Sequence, residues 1–234
     1  MNKLTLLTYL ALVPCSYLLC PMPAVLSTPR LGLPGSRYGQ GYRCPSCIEP
    51  GQTTQILMIP QNNILLTSRK SPTLLFYLPP FNERKTIELM IKDEEGGETT
   101  TLSAHSDQTS GIVLLDLSAL DIPVELEADK NYVFYLSIIC QIGEQGKNIS
   151  ARGNIQYEPD SHDVYISHFP ESKVSQALHL HSLGLWSDVL SDVAMLKLQG
   201  IGGFDTDKVW EELLNEESLG LLMEEEVTSL NFVR

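Results

Sequence analysis

Positive charge is scarce in this chain: 16 Lys and Arg stand against 29 Asp and Glu in 234 residues, a net charge of −13. A surface of that sign repels phosphate, which sets nucleic acid aside as a partner. Histidine is scarce too, with five, at His105, His162, His168, His179 and His181. His179 and His181 stand two apart, so on a helix they diverge and do not grip one metal ion. No G-x-S-x-G turn is present to raise a serine nucleophile at a strand–helix elbow. Beyond the first 27 residues no apolar run is long enough to cross a bilayer, so no membrane span is expected in the mature chain.

The first 27 residues themselves read as an export signal. Lys3 gives a positive start, Leu4 to Leu19 is mostly apolar, Pro21 and Pro23 break any helix, and small residues follow at Ala24 and Ser27. Cleavage is expected between Val25 and Thr28, which places the mature protein in a periplasm or outside the cell. Cys15 and Cys20 leave with the signal. Cys44, Cys47 and Cys140 remain, an odd number in a compartment where disulfides persist.

Residues 28–51 hold five glycines and four prolines with little apolar content, so residues 28–52 are expected to be a flexible lead-in. From 53 to 160 short apolar runs alternate with turn chemistry. Strands are expected at Gln55–Ile59, Thr73–Leu78, Thr86–Lys92, Thr99–Ser103, Gly111–Leu117, Asn131–Gln141 and Ile149–Tyr157. Asn131–Gln141 alternates best, with Tyr132, Phe134, Leu136, Ile138 and Cys140 on one face. About seven short antiparallel strands in roughly a hundred residues is the pattern of an immunoglobulin-like sandwich.

From 161 to 234 the period becomes helical. Ser172–Leu183, Trp186–Leu198 and Asp207–Asn215 are expected helices, with Asp205 or Thr206 as a cap and Gly200-Ile201-Gly202-Gly203 as a stop. Trp186, Val189, Leu190 and Val193 belong on a buried face; Glu211, Glu212 and Glu216 belong in solvent. The expected class is α+β: an antiparallel β-sandwich of immunoglobulin type followed by an αα-hairpin region.

Several stretches then carry a resemblance. They are Ile56-Leu57-Met58-Ile59-Pro60, Pro72-Thr73-Leu74-Leu75-Phe76-Tyr77-Leu78-Pro79, Gly111-Ile112-Val113-Leu114-Leu115, Leu126 to Tyr132 with Ser137 to Cys140, Gly153-Asn154-Ile155, and Gly184-Leu185-Trp186-Ser187-Asp188-Val189-Leu190. In this order the chain resembles the family catalogued as domain of unknown function 928, exported proteins best known from cyanobacteria. The resemblance implies a location and an architecture and supplies no activity. Members of that family usually carry one cysteine before the first strand, whereas this chain has two, Cys44 and Cys47.

The cysteines are the sharpest candidate site. Cys44-Pro45-Ser46-Cys47 has redox-dithiol spacing, but it sits in a Gly/Pro stretch with no helix start to stabilise a thiolate. Cys140 lies in line with an apolar strand face. A bridge from Cys140 to Cys44 or Cys47, with Cys47 favoured, would close a loop of about ninety-five residues and stabilise by about 4–5 kcal/mol on the chain-entropy argument. A zinc site from the three cysteines and one histidine lacks a second paired-ligand motif. No catalytic residue, cofactor or metal is therefore expected. The reading is an exported, non-enzymatic interaction or envelope-accessory module whose partner is a protein or envelope component. A hydrolase or redox enzyme and a carbohydrate-binding sandwich are the alternatives. The last would rest on exposed aromatics, with Tyr77, Phe81, Tyr135 and Tyr157 as candidates.

Overall fold

Tyr132, Phe134, Leu136 and Ile138 are all buried, and the strand that carries them, Asn131–Ile139, runs between two antiparallel neighbours. The structure, a computed structural model, describes residues 33–40, 48, 52–106, 109–140, 148–159, 184–201 and 203–234. In these the strands are β1 (Ser36–Gln40), β2 (Ile56–Leu57), β3 (Ile64–Thr67), β4 (Thr73–Leu78), β5 (Thr86–Asp93), β6 (Thr99–His105), β7 (Gly111–Asp116), β8 (Asn131–Ile139) and β9 (Ile149–Tyr157). Helices α1 (Trp186–Leu198) and α2 (Phe204–Glu216) follow, and then β10 (Val227–Ser229). The expected helix over 172–183 lies outside the described residues.

The strands pair along one path, β10-β7-β4-β2-β1-β9-β8-β5-β6, with β3 attached to β9, and this path curls into a half-barrel. The path is continuous, and a division into the two separate sheets of an immunoglobulin-like sandwich is not confirmed. The physical reason is β1, which pairs with β9 on one side and with β2 on the other and so joins the two faces. Ser36–Gln40 of the Gly/Pro-rich lead-in is therefore hydrogen-bonded strand, where composition predicted a flexible chain. β3 and β10 were also not expected as strands. Each is short, and each pairs in parallel, β3 with β9 and β10 with β7, against an otherwise antiparallel background.

Burial explains the two kinds of strand pattern. Leu74, Phe76 and Leu78 of β4 and Val113 and Leu115 of β7 meet Leu89, Leu102, Phe134 and Leu136 in a first core inside the curl. The alternate residues Leu75, Tyr77, Ile112 and Leu114 face the other way, into a second core closed by Trp186, Val189, Leu190 and Val193 of α1 and Val209, Trp210, Leu213 and Leu214 of α2. The β4/β7 layer is thus buried on both faces, which is why its sequence runs apolar without alternation. The expected burial in α1 holds, as does the exposure of Glu211, Glu212 and Glu216.

The glycine run after α1 acts as a helix stop. Gly200 takes φ +66°, its N–H donates to the Lys197 carbonyl, and the Ile201 N–H donates to the Leu196 carbonyl, the paired bonds of a Schellman ending. α2 begins at Phe204 after an extended Gly203, so the cap position falls on Gly203, and Asp205 and Thr206 lie inside the first turn. Asp207 instead pairs with Lys197 Nζ at 2.7 Å, tying the two helices together.

Gly153 of β9 is fixed by contact. It stands opposite Phe134 in the register, and a Cβ there would lie 2.6 Å from Phe134 Cε1 and 2.7 Å from Ile59 Cδ1. Such overpacking forces ring and strand apart at about 1–3 kcal/mol. Gly153→Ala is expected to lower the urea unfolding free energy by that amount, and Gly153→Val by more. An unchanged midpoint for both would show that the ring does not lie over the glycine.

Candidate functional site

Cys140 follows β8, half-buried, and packs on the first core together with Ile48. Cys44 and Cys47 lie outside the described residues, as do His162, His168, His179 and His181. His105 is exposed at the end of β6, with Nδ1 3.4 Å from Thr86 Oγ1. Among the described residues no group of three or more His, Cys, Asp and Glu could hold a metal ion. Of the four aromatics considered for carbohydrate, Tyr77 and Phe81 are buried, and Tyr157 is half-buried against the first core. Tyr135 lies on the outer face of β8, with the Arg152 guanidinium 5.9 Å from its ring centre.

A cavity of about 250 Å³ opens beside the β5–β6 hairpin and the 123–132 loop. The buried Ile91, Val124, Leu126 and Tyr132 line it together with a set of charged side chains, here called its rim. Asp93, which opens the Asp93-Glu94-Glu95-Gly96-Gly97 turn, lines one side. Asp93 Oδ1 accepts the Glu95 N–H at 2.9 Å, and Gly96 takes φ +91°. Lys130 Nζ donates to Glu127 Oε1 at 3.0 Å and lies 3.4 Å from Asp93 Oδ2. The Glu127 hydrogen bond, opposed by burial and aided by Asp93, holds the Lys130 ammonium above its ordinary range. Arg234 pairs with Glu98 at 2.9 Å, and Lys70 outside the rim pairs with Glu125 at 2.5 Å. The Tyr132 hydroxyl closes the loop by accepting the Glu127 N–H at 3.0 Å. Chemically, the rim is a set of ion pairs rather than a row of free carboxylates.

Two further polar clusters escaped the sequence reading. Asp188, 2% exposed in the first turn of α1, accepts hydrogen bonds from Thr67 Oγ1 at 2.7 Å and from Ser68 N and Oγ, both at 2.8 Å. The helix N-terminus also favours a negative group there. Beside it, Arg69 donates to Ser191 Oγ and pairs with Asp192 at 2.7 Å. The available signal was an acid set inside an apolar run, Leu185-Trp186-Ser187-Asp188-Val189-Leu190. The second cluster centres on Arg37, 6% exposed. It donates to the Ile59 carbonyl at 3.1 Å and to the Glu217 carbonyl just past α2 at 2.7 Å, clipping β1 to the helical layer. Glu217 Oε2 in turn accepts the Gln61 N–H at 2.7 Å. Both clusters join the sheet to the helices.

No curated protein and no solved structure matches the chain. Residues 35–227 match the family described as Domain of Unknown Function (DUF928), a span that runs from the residue before β1 to the first residue of β10. It takes in the half-barrel and both helices, and on that extent the chain belongs to the DUF928 family.

Proposed function

We propose that this protein is an exported, non-enzymatic interaction or envelope-accessory module, working in a periplasm or outside the cell on a protein or envelope partner. The observation that carries the reading is the pairing at the cavity rim. Lys130 is held by Glu127 and Asp93, Arg234 by Glu98 and Glu125 by Lys70. A general acid or base has to be free to meet a substrate proton, and these groups meet one another. The buried acid, Asp188, is likewise engaged in three hydrogen bonds that hold a helix to a sheet.

Export is supported by the leader and by sulfur chemistry. Cys140 is read as one end of a disulfide, and Ile48, the neighbour of Cys47 in sequence, packs on the same core as Cys140. The partner in this reading is Cys47 or Cys44, with Cys47 favoured. The bridge would pin the chain before β2 to the end of β8 and leave one thiol over.

Two measurements test this. Sequencing of the native protein should find its first residue between Val25 and Thr28; a retained Met1 overturns export. Non-reducing peptide mapping should recover Cys140 joined to Cys47 or Cys44, whereas a Cys44–Cys47 bond beside a free Cys140 thiol would overturn the bridge and restore the redox alternative. A stoichiometric partner captured by the mature protein from its native envelope fraction would establish the interaction itself.

A further inference from the structure

The ion pairs around the cavity leave one negative charge over. Glu98 has Arg234 and Glu125 has Lys70, one to one, whereas Asp93 and Glu127 share Lys130. Lys130 Nζ leans to Glu127, at 3.0 Å against 3.4 Å for Asp93 Oδ2, so the surplus falls on Asp93. Asp93 Oδ1 is taken by the Glu95 N–H, and among the described residues Oδ2 meets Lys130 alone. Water does little to neutralise the charge there: the Asp93 side chain is 6% exposed, against 68% for Glu127. A buried carboxylate with only a share of one counter-ion favours a further cation that can reach it.

The approach is open. Asp93 lines the cavity, and Gly97 sets no side chain over Oδ2, where a Cβ would collide with it. The buried Val124, Leu126 and Tyr132 line the same space, so methylene groups entering below the charge are taken out of water. A volume of about 250 Å³ is below the roughly 300–1,000 Å³ of small-molecule sites and suits one long side chain entering from outside.

We propose that this cavity is the seat of a lysine side chain from the partner protein, its stem along Leu126 and Tyr132 and its ammonium on Asp93 and Glu127. One charge is to be balanced at a single buried oxygen, which suits a compact ammonium better than a planar guanidinium fork. Lys130 is then a built-in competitor. It holds both carboxylates when the partner is absent and gives up Asp93 when the partner's lysine enters. The proposal rests on the interaction-module reading and names the group that the partner contributes.

The test titrates Nα-acetyl-lysine methylamide into the isotope-labelled full chain, at the millimolar concentrations that a single side chain needs. The amide signals of Leu126, Glu127, Lys130 and Tyr132 should shift and saturate. The Nε-acetylated form of the probe, which carries no charge, should leave them in place. Lys130→Gln keeps most of the stem and removes the competitor, so this variant should bind at least fivefold more tightly. Asp93→Asn keeps the oxygen that accepts the Glu95 N–H and removes the charge, so it should bind at least fivefold more weakly. Should that variant fail to fold, Glu127→Gln, at an exposed position, takes its place with the same expected loss. No saturable shift in the Lys130→Gln protein, equal binding of the acetylated probe, or one affinity across the variants overturns the proposal. Any of these with a partner still captured from the envelope fraction would sink the lysine seat and leave the broader reading standing.

Discussion

Trp186→Ala is expected to lower the unfolding free energy by about 3–5 kcal/mol, the range for a truncated core aromatic. The indole is 4% exposed, lies at the first residue of α1, and sits among Val189, Leu213 and Leu214 in the second core. Its Nε1–H donates to the Leu213 carbonyl of α2 at 3.2 Å, so one side chain holds the two helices against each other. Two losses are superimposed, a cavity and an orphaned carbonyl. Trp186→Phe separates them: it keeps most of the apolar volume and should cost nearer 1–2 kcal/mol, roughly a hydrogen bond plus a smaller void. Urea unfolding followed by far-ultraviolet dichroism reads both. A change below about 1 kcal/mol for the alanine variant would mean that the helical layer does not seal the β4/β7 face.

Asp188→Ala is the second large effect, expected at about 3–4 kcal/mol. The substitution takes one acceptor from three donors at once: the Thr67 hydroxyl, the Ser68 hydroxyl and the Ser68 backbone N–H. The hydroxyls can turn to other partners, but the backbone amide cannot, and Ser68 and Thr67 are both buried. Asp188→Asn retains an oxygen for one or two of these bonds and turns an N–H group on the rest, so it should fall between the wild type and alanine. Equal stability of all three proteins would show that α1 is held by apolar contact alone.

The sequence announced most of the strands and both ends of one helix. Asn131–Gln141 could be read because one face of β8 meets the core and the other meets water, which writes burial into alternation. Trp186–Leu198 could be read to the residue, as its stop is a glycine with positive φ. The missing strands share a cause. β3 and β10 are four and three residues long and pair in parallel with distant strands, so neither has a hairpin partner beside it in sequence to announce it. β1 is concealed by its glycine and arginine. Its stability comes from neighbours on both edges and from the Arg37 clip, not from an apolar pattern of its own. The cavity rim was illegible because its charges come from the β5–β6 turn, the 123–132 loop and Arg234, which meet only in three dimensions. Asp188 stood in the quoted Trp186-Ser187-Asp188 stretch, yet its partners, Thr67 and Ser68, lie in a part of the chain given no strand.

The parallel pairing of β7 with β10 imposes an order on assembly. β7 acquires β4 as an early neighbour, but its other edge stays open until the chain has passed through both helices and reached Val227. The half-barrel therefore cannot form as a finished unit before the β10 segment has been made. Closure over so long a separation in sequence is slow, and the waiting β7 edge is sticky in the meantime. A protein built this way has to be kept from its neighbours until the segment after the helices arrives, and its yield on refolding should fall steeply as its concentration rises.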